Sequence, residues 1–424
     1  MNSGLLLFDP QPLSHVIDRS YFTQYHPVSD TSNGGPIEFS ITGSNEEYIG
    51  CNDIYICVHL KVLKKDGSNL AKTDAVFPAN SLLSSLFTDV VLKLNEKQVE
   101  GGQDQYAYKS YFSYLLQYGK NAKQSHMELA GWTNDGNEDL DDPKNKGCIK
   151  RSNWIAESRE HELYGPVNLD LFRQERYLLS NVDIRLTFKR APTEFVLSDY
   201  AATPGAYKIV ITKAYLEVRR AVIVPEIINA HASGLMKQNA IYPVNHTRLI
   251  TYTIPKGATS HIKSDLFTSQ KPKLLFVAMI ENSVYNGSIA KNSFKFKHFD
   301  LNKLSLFDEG NTVMGETFEP NFKNQLYARL YAFSSIALGQ FNTSESNAIT
   351  YAMFGNGFTI SAFDLTADNQ VYAEHSHGVQ PANLRLDLAF EKPLPETINV
   401  LLFAVFDSAI EITLKRDVIM HYNR

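Results

Sequence analysis

Val182-Asp183-Ile184-Arg185-Leu186-Thr187-Phe188-Lys189 alternates apolar and polar side chains, and Leu384-Arg385-Leu386-Asp387-Leu388-Ala389-Phe390-Glu391 repeats the pattern about 202 residues later. An asparagine precedes each octet, Asn181 and Asn383. Period-two alternation is the mark of a strand with one face in a core. Working outward, Leu216-Glu217-Val218-Arg219-Arg220-Ala221-Val222-Ile223 is echoed by Ile412-Thr413-Leu414-Lys415-Arg416-Asp417-Val418-Ile419, at an offset of about 196. A third pair is helical: Gln105, Lys109, Tyr111 and Gly119 match Gln325, Arg329, Tyr331 and Gly339 at a constant offset of about 220. Three pairs in one order, at offsets near half the chain, predict a duplicated domain.

The 424 residues accommodate two units of about 190–200 residues, each large enough to bury its own core. A net charge of −5 argues against a surface that binds nucleic acid throughout, because phosphate contacts need Lys and Arg gathered on one face. Three cysteines, Cys51, Cys57 and Cys148, give no disulfide framework and point to folding in a reducing compartment. Cys57 falls mid-strand and reads as a free buried thiol. Leu5-Leu6-Leu7-Phe8 is followed at once by Asp9-Pro10, which is neither a signal peptide nor a membrane span. Without a signal peptide, the sequons at Asn245, Asn286 and Asn342 are expected to stay unmodified.

Residues 1–35, rich in Pro, Ser and Gly towards their end, read as an N-terminal arm. Ile37, Phe39 and Ile41 alternate, as do Ile54, Ile56, Val58, Leu60 and Val62, with Cys57, His59 and Lys61 on the opposite face. Strands follow at 90–94, 182–189 and 209–218. Tyr108, Tyr111, Phe112, Leu115 and Tyr118 recur at helical spacing, and 131–150 reads as a long polar loop. Pro225 opens a linker helix within 222–239. In the second half Leu274–Ile280 is continuously apolar, a helix is expected around 325–333, and strands are expected at 358–363, 384–390, 400–406 and 410–414. The reading is all-β: two tandem eight-stranded jelly-roll sandwiches over 36–221 and 240–424, each with a short inserted helix.

Motifs for chemistry are weak. Asp135-Gly136-Asn137-Glu138-Asp139-Leu140-Asp141-Asp142 has alternate oxygen donors, but a calcium loop needs Gly at Leu140 and a bidentate Glu at Lys146, so it reads as a solvated acidic loop. Glu374-His375-Ser376-His377 offers two imidazoles with no third ligand in sequence, and Arg159-Glu160-His161-Glu162 lacks the second His of a zinc-protease helix. Met353-Phe354-Gly355-Asn356-Gly357 resembles a small-residue cleavage site, yet leads straight into a strand and reads as a turn. No nucleophile elbow, dinucleotide fingerprint or phosphate loop occurs. The sequence therefore assigns no catalytic, cofactor or metal residues and predicts a protein that is not an enzyme.

Asn80-Ser81-Leu82-Leu83-Ser84-Ser85-Leu86-Phe87, Val91-Leu92-Lys93-Leu94-Asn95, Tyr106-Ala107-Tyr108, Tyr118-Gly119, Ala122-Lys123, Lys237-Gln238-Asn239-Ala240-Ile241-Tyr242-Pro243-Val244-Asn245-His246-Thr247, Phe406-Asp407-Ser408 and Arg416-Asp417-Val418 stand in one order along the chain. Together they resemble the double jelly-roll major capsid proteins of Polinton (Maverick) elements and adintoviruses, and capsid-derived reading frames in nematode genomes. The resemblance spans nearly the whole chain. It implies a homotrimer acting as a pseudo-hexameric capsomer, tiling an icosahedral shell around double-stranded DNA. Its partners would be neighbouring capsomers and a single jelly-roll penton protein, with no sequence-specific nucleic-acid binding. The location implied is the virion, after synthesis in the host cytoplasm. Two alternatives remain: a capsid gene domesticated by a cell, and a tandem carbohydrate-binding sandwich using Trp132 and Trp154 in an aromatic groove.

Overall fold

The computed structural model describes residues 16–421 apart from 32–33, 73, 202–203, 268 and 373–377. The first half forms two four-stranded antiparallel sheets facing one another. One contains β1 (Ile17–Tyr25), β3 (Glu47–Lys64), β6 (His161–Pro166) and β8 (Tyr207–Ile223), in the order β1-β8-β3-β6. The other contains β2 (Ile37–Ile41), β4 (Phe87–Leu94), β5 (Lys97–Glu100) and β7 (Ile184–Arg190), in the order β2-β7-β4-β5. The chain changes sheet at nearly every connection, and only the β4–β5 hairpin stays in one sheet. That is the jelly-roll path.

The second half repeats it. Its strands are β9 (Ala240–Ile254), β10 (Ser260–Lys263), β11 (Leu274–Glu281), β12 (Leu301–Asp308), β13 (Asn311–Thr312), β14 (Ile360–Asp364), β15 (Leu384–Phe390) and β16 (Ile398–Ile412). Their sheet orders are β9-β16-β11-β14 and β10-β15-β12-β13. Adding eight to any strand of the first roll gives its counterpart in the second. Short strands at Tyr177–Leu178 and Val418–Met420 pair with the ends of two long inner strands, at Ile49–Gly50 of β3 and Ile410–Ile412 of β16.

The two octets occupy equivalent places. In β7, Leu186 lies between Phe39 of β2 and Leu92 of β4; in β15, Leu386 lies between Lys263 of β10 and Leu306 of β12. Ile184, Leu186, Leu386 and Leu388 all point into the sandwich interiors and are at most 2% exposed. The helical pair also holds its place: α1 (Tyr106–Gln117) follows the β4–β5 hairpin, as a helix at Ala328–Ala337 follows β12–β13.

Other expectations are corrected. Residues 1–35 are not wholly an irregular arm, because β1 pairs along its length with β8, and the first sandwich begins well before residue 36. This edge strand is mostly exposed, so it lacks the apolar alternation that betrays strands with a buried face. The polar stretch 131–150 contains the start of α2 (Lys146–Ile155), capped by the Asn145 side chain, which accepts from Gly147 N and Cys148 N. Strand β6, inside the segment without a strand signal, completes a sheet. The echo of 216–223 in 412–419 is not structural: 216–223 lies within β8, whereas β16 stops at Ile412 and the chain doubles back. Strands expected separately at 400–406 and 410–414 are one continuous β16. A helix, α3 (Pro225–Leu235), joins the rolls with Pro225 in its first turn, and α4 (Ala328–Ala337) is the helix already noted in the second roll.

Candidate functional site

The rolls meet along a seam built around α1. Its aromatic spacing predicts an amphipathic helix, but Tyr106, Tyr108, Tyr111, Phe112, Tyr114, Leu115 and Leu116 are all buried, so nearly its whole circumference is covered. Tyr111 stacks on Phe294 at 3.9 Å between centroids and on Trp132 at 5.4 Å. Phe112 packs on Phe296 at 5.0 Å and on Phe403 of β16 at 5.6 Å, while Tyr108 stacks on Tyr285 at 5.6 Å. A helix of the first roll thus supplies the outer cover of the second roll's first sheet. Burial raises the phenols of Tyr108, Tyr111 and Tyr114 far above their ordinary range, so they remain neutral packing elements.

This cover explains a contrast in the sequence. β11 is buried at every position, and β16 is buried from Ile398 through Phe406. The equivalent first-roll strand β3 alternates from Ile54 to Val62 at every position but the buried Cys57, because its outer face is open. Both-face burial erases period two, and one-face burial preserves it. On that open face Tyr55 stacks on Tyr164 at 5.6 Å and Phe22 packs near Tyr55 at 6.2 Å, with Phe22 54% exposed.

Charged groups edge the seam. Asp170 accepts from Thr247 N at 2.8 Å and Thr247 Oγ1 at 2.7 Å, and its backbone N–H donates to Glu100 Oε2 at 2.7 Å. Lys109 Nζ lies 3.1 Å from Glu100 Oε1 and 4.0 Å from Asp170, and His246 Nδ1 lies 3.3 Å from Asp170. Burial opposes charge at Asp170, but Lys109 and His246 outweigh it and hold the carboxyl well below its usual range. Burial, reinforced by the Asp170 charge, pushes Glu100 up. The adjoining pocket, about 40 Å³, has room for water and little else. These residues clamp the first roll to β9.

The segment 135–142 is a solvated acidic loop only in part: Asn137, Glu138 and Asp139 are exposed, and the rest is tied into the protein. Asp135 is buried against Arg151 at 2.6 Å, and its Oδ2 accepts from Asn80 Nδ2 at 2.9 Å. Asp139 and Asp141 both pair with Lys295 of the second roll, and Asp141 accepts from Asn292 N at 2.7 Å. Arg151 and Lys295 thus already pair with Asp135, Asp139 and Asp141, while Glu138 and Asp142 accept from the backbone N–H groups of Lys146 and Lys144. At the opposite end, Arg416 Nε donates to Ser180 O at 2.8 Å and Asn95 Nδ2 to Arg416 O at 3.0 Å. The turn that ends β16 is therefore gripped by the first roll.

Lys123 completes the seam in an unusual way. It is buried, its ammonium donates to Leu115 O and Asn347 O at 2.6 Å each, and it lies 5.3 Å from the Trp132 ring. Burial lowers it from the ordinary 10.5 to about 7. Between those values the unfolded chain binds more protons than the folded one, so stability rises with pH across about 7 to 10.5 and is fully reduced below it. Lys123→Met is expected to gain stability relative to the parent at about pH 6.5 and to lose that advantage towards pH 9.5. Urea midpoints of both proteins at the two pH values measure it; a difference independent of pH would refute the assignment.

The remaining sequence candidates scatter. Glu374, His375, Ser376 and His377 lie outside the described residues. Trp132 is buried on Tyr111 and Trp154 stacks on His161 at 5.0 Å, so they do not line a shared groove. Met353 and Phe354 are buried, and Gly355 lies so close to the Tyr327 hydroxyl that no Cβ fits there, so the turn is packed against its surroundings. Glu160 bonds Thr212, whereas Glu162 turns towards Cys57 and His59. Among the described residues no helix is long and apolar enough to cross a membrane.

No family model matches the sequence. An uncharacterized protein of Caenorhabditis elegans is 25% identical over 400 residues, spanning 91% of this chain and 93% of that protein. Among solved structures, the Sputnik virophage determined by cryo-EM aligns with a TM-score of 0.66 at 12% identity, covering 99% of this chain and 92% of its own. The PBCV-1 virus capsid aligns at 0.62 and 11%, covering 98% and 100%, and the mavirus major capsid protein at 0.55 and 12%, covering 94% and 89%. At such identities the likeness is one of fold, and that fold is the double jelly roll.

Proposed function

We propose that the chain is a major capsid protein whose three copies close into a pseudo-hexameric capsomer, tiling an icosahedral shell around double-stranded DNA. The observation that carries this reading is the unequal treatment of two equivalent sheets. The second roll's first sheet is covered by α1 of the first roll, while the first roll's own first sheet stays open and aromatic. In a ring of six alternating rolls each such sheet meets a neighbouring roll. Within one chain only one of the two contacts is made, and the other falls to the next subunit. A three-fold axis then closes the ring with no unpaired face. The exposed Leu326, Ile336 and Phe341 on and beside α4 suit the complementary surface, since α4 holds the place of α1 in the second roll. Neighbouring capsomers and a single jelly-roll penton protein are the partners this reading requires, in a Polinton- or adintovirus-like element and its virion. The mild negative charge suits a wall that does not condense DNA itself.

The relative in an animal supports a second reading, a capsid gene retained by a host genome, with the same fold and trimer but no shell. Light scattering at micromolar concentration tests the shared part: a mass three times that of the chain is expected, with interfaces above about 2,000 Å² each. Phe22→Glu on the open sheet is expected to yield folded monomer. A parent protein that stays monomeric in low salt would overturn the proposal. Negative-stain images separate shells from free trimers.

A further inference from the structure

The open sheet of the first roll carries a group that neither the seam nor the shell reading uses. Cys57 and His59 are two residues apart on β3, so both leave the strand on the side away from the core. Glu162 of β6 stands directly opposite His59 in the antiparallel register. Glu162 Oε1 lies 3.4 Å from Cys57 Sγ and 3.4 Å from His59 Nε2, and all three donor atoms fall within 4.8 Å of one another. In tetrahedral zinc sites Zn–S is about 2.3 Å and Zn–N or Zn–O about 2.0–2.2 Å, which places neighbouring ligand atoms about 3.3–3.6 Å apart. Two edges of such a tetrahedron already have that length. Among the described residues, no other three His, Cys, Asp or Glu side chains gather in this way.

We propose that Cys57, His59 and Glu162 bind one zinc ion, with the fourth position open to water or to a donor from another chain. Thiolate, imidazole and carboxylate are the donor types zinc takes, and one thiolate with one carboxylate cancels its double charge. The site has a floor and a mouth. Cys57 is fully buried, while the Glu162 side chain is 61% exposed, so the ion enters past the carboxylate. Tyr215 and Tyr164 flank Cys57 on the two neighbouring strands. Lys213, opposite His59, has its ammonium 4.9 Å from the Tyr215 ring. On binding, the Cys57 S–H bond breaks as the S–Zn bond forms and the proton leaves to solvent. His59 gives the Nε2 lone pair and Glu162 a carboxylate oxygen. No electron is transferred. In the metal-free protein the same atoms rest as a thiol-to-carboxylate hydrogen bond beside an imidazole.

The test uses the full chain, stripped with a chelator and titrated with Co²⁺. One equivalent is expected to produce a thiolate-to-cobalt charge-transfer band together with the intense visible bands of tetrahedral cobalt, both abolished by added Zn²⁺. Cys57→Ser should remove the charge-transfer band, and His59→Gln and Glu162→Gln should each weaken zinc binding at least tenfold in competition with a chromophoric chelator. Cys51→Ser and Cys148→Ser should leave the band intact. Circular dichroism of each metal-free variant confirms that it folds, and if Cys57→Ser does not fold, the His59 and Glu162 variants decide. Absence of the charge-transfer band in the parent, its persistence in folded Cys57→Ser, or unchanged affinity in both folded His59 and Glu162 variants would overturn the site.

Discussion

Phe112→Ala is expected to lower the stability of the chain by about 3–5 kcal/mol, the range for emptying a buried phenylalanine site. Phe112 has no solvent exposure, and its ring lies against two others, Phe296 and Phe403, both in the opposite roll. The void would therefore open at the seam, where the two sandwiches would have to move together to fill it. α1 is held on several sides at once: Tyr111 is clamped between Trp132 and Phe294, and Tyr108 rests on Tyr285. That leaves little room for the collapse that softens such losses elsewhere. Phe112→Leu, which keeps most of the volume, should recover much of the difference. Urea denaturation followed by tryptophan fluorescence measures both, because Trp132 stacks on the same helix. A loss below about 1 kcal/mol would mean that α1 is not what fastens the rolls.

How much of this was legible in sequence depends on the faces each residue presents. The octets ending at Lys189 and Glu391 declared their strands because each has one wet and one dry face, and their equivalence gave the duplication. The continuous apolar run at Leu274–Ile280 carried a further message, a strand covered on both sides, but not what covers it. That answer lies in Tyr108, Tyr111 and Phe112, whose helical spacing announces a helix without naming the roll it packs against. β1 was missed because Arg19, Ser20, Tyr21 and Phe22 are all exposed in this chain, and hydrophobic periodicity is silent where nothing is buried. The acidic stretch 135–142 misled for the opposite reason. Asp135 is paired inside the first roll with Arg151, and Asp139 and Asp141 are paired across the seam with Lys295, and composition cannot show a partner so distant in the chain. The grouping of Cys57, His59 and Glu162 was half visible: alternation placed the first two on one face, and only the pairing of β3 with β6 brought the third.

Arg151→Ala tests a buried ion pair inside the first roll, and its expected cost is again about 3–5 kcal/mol, the effect of removing one partner of such a pair. Arg151 is fully buried and uses its whole fork: Nε donates to Pro78 O at 2.7 Å, Nη1 to Thr133 and to Asp135 Oδ1, and Nη2 lies 3.3 Å from Cys148 Sγ. Truncation strands the Asp135 carboxylate in the interior, with the Asn80 amide as its remaining side-chain donor among these contacts. The cost comes from that stranded charge more than from the lost attraction, so the two can be separated. Arg151→Met with Asp135→Asn removes both charges, keeps an acceptor for Asn80, and is expected to be clearly more stable than Arg151→Ala. Arg151→Lys keeps the charge but not the planar fork, and should fall between the two. If the double variant were no better than the single one, the guanidinium would be acting through its hydrogen bonds to Pro78 and Thr133. In either case the acidic stretch 135–142 keeps its ties to the second roll, through Lys295 and Asn292 and through Asn137, which accepts from Thr350 Oγ1 at 2.9 Å and Asn356 Nδ2 at 3.0 Å.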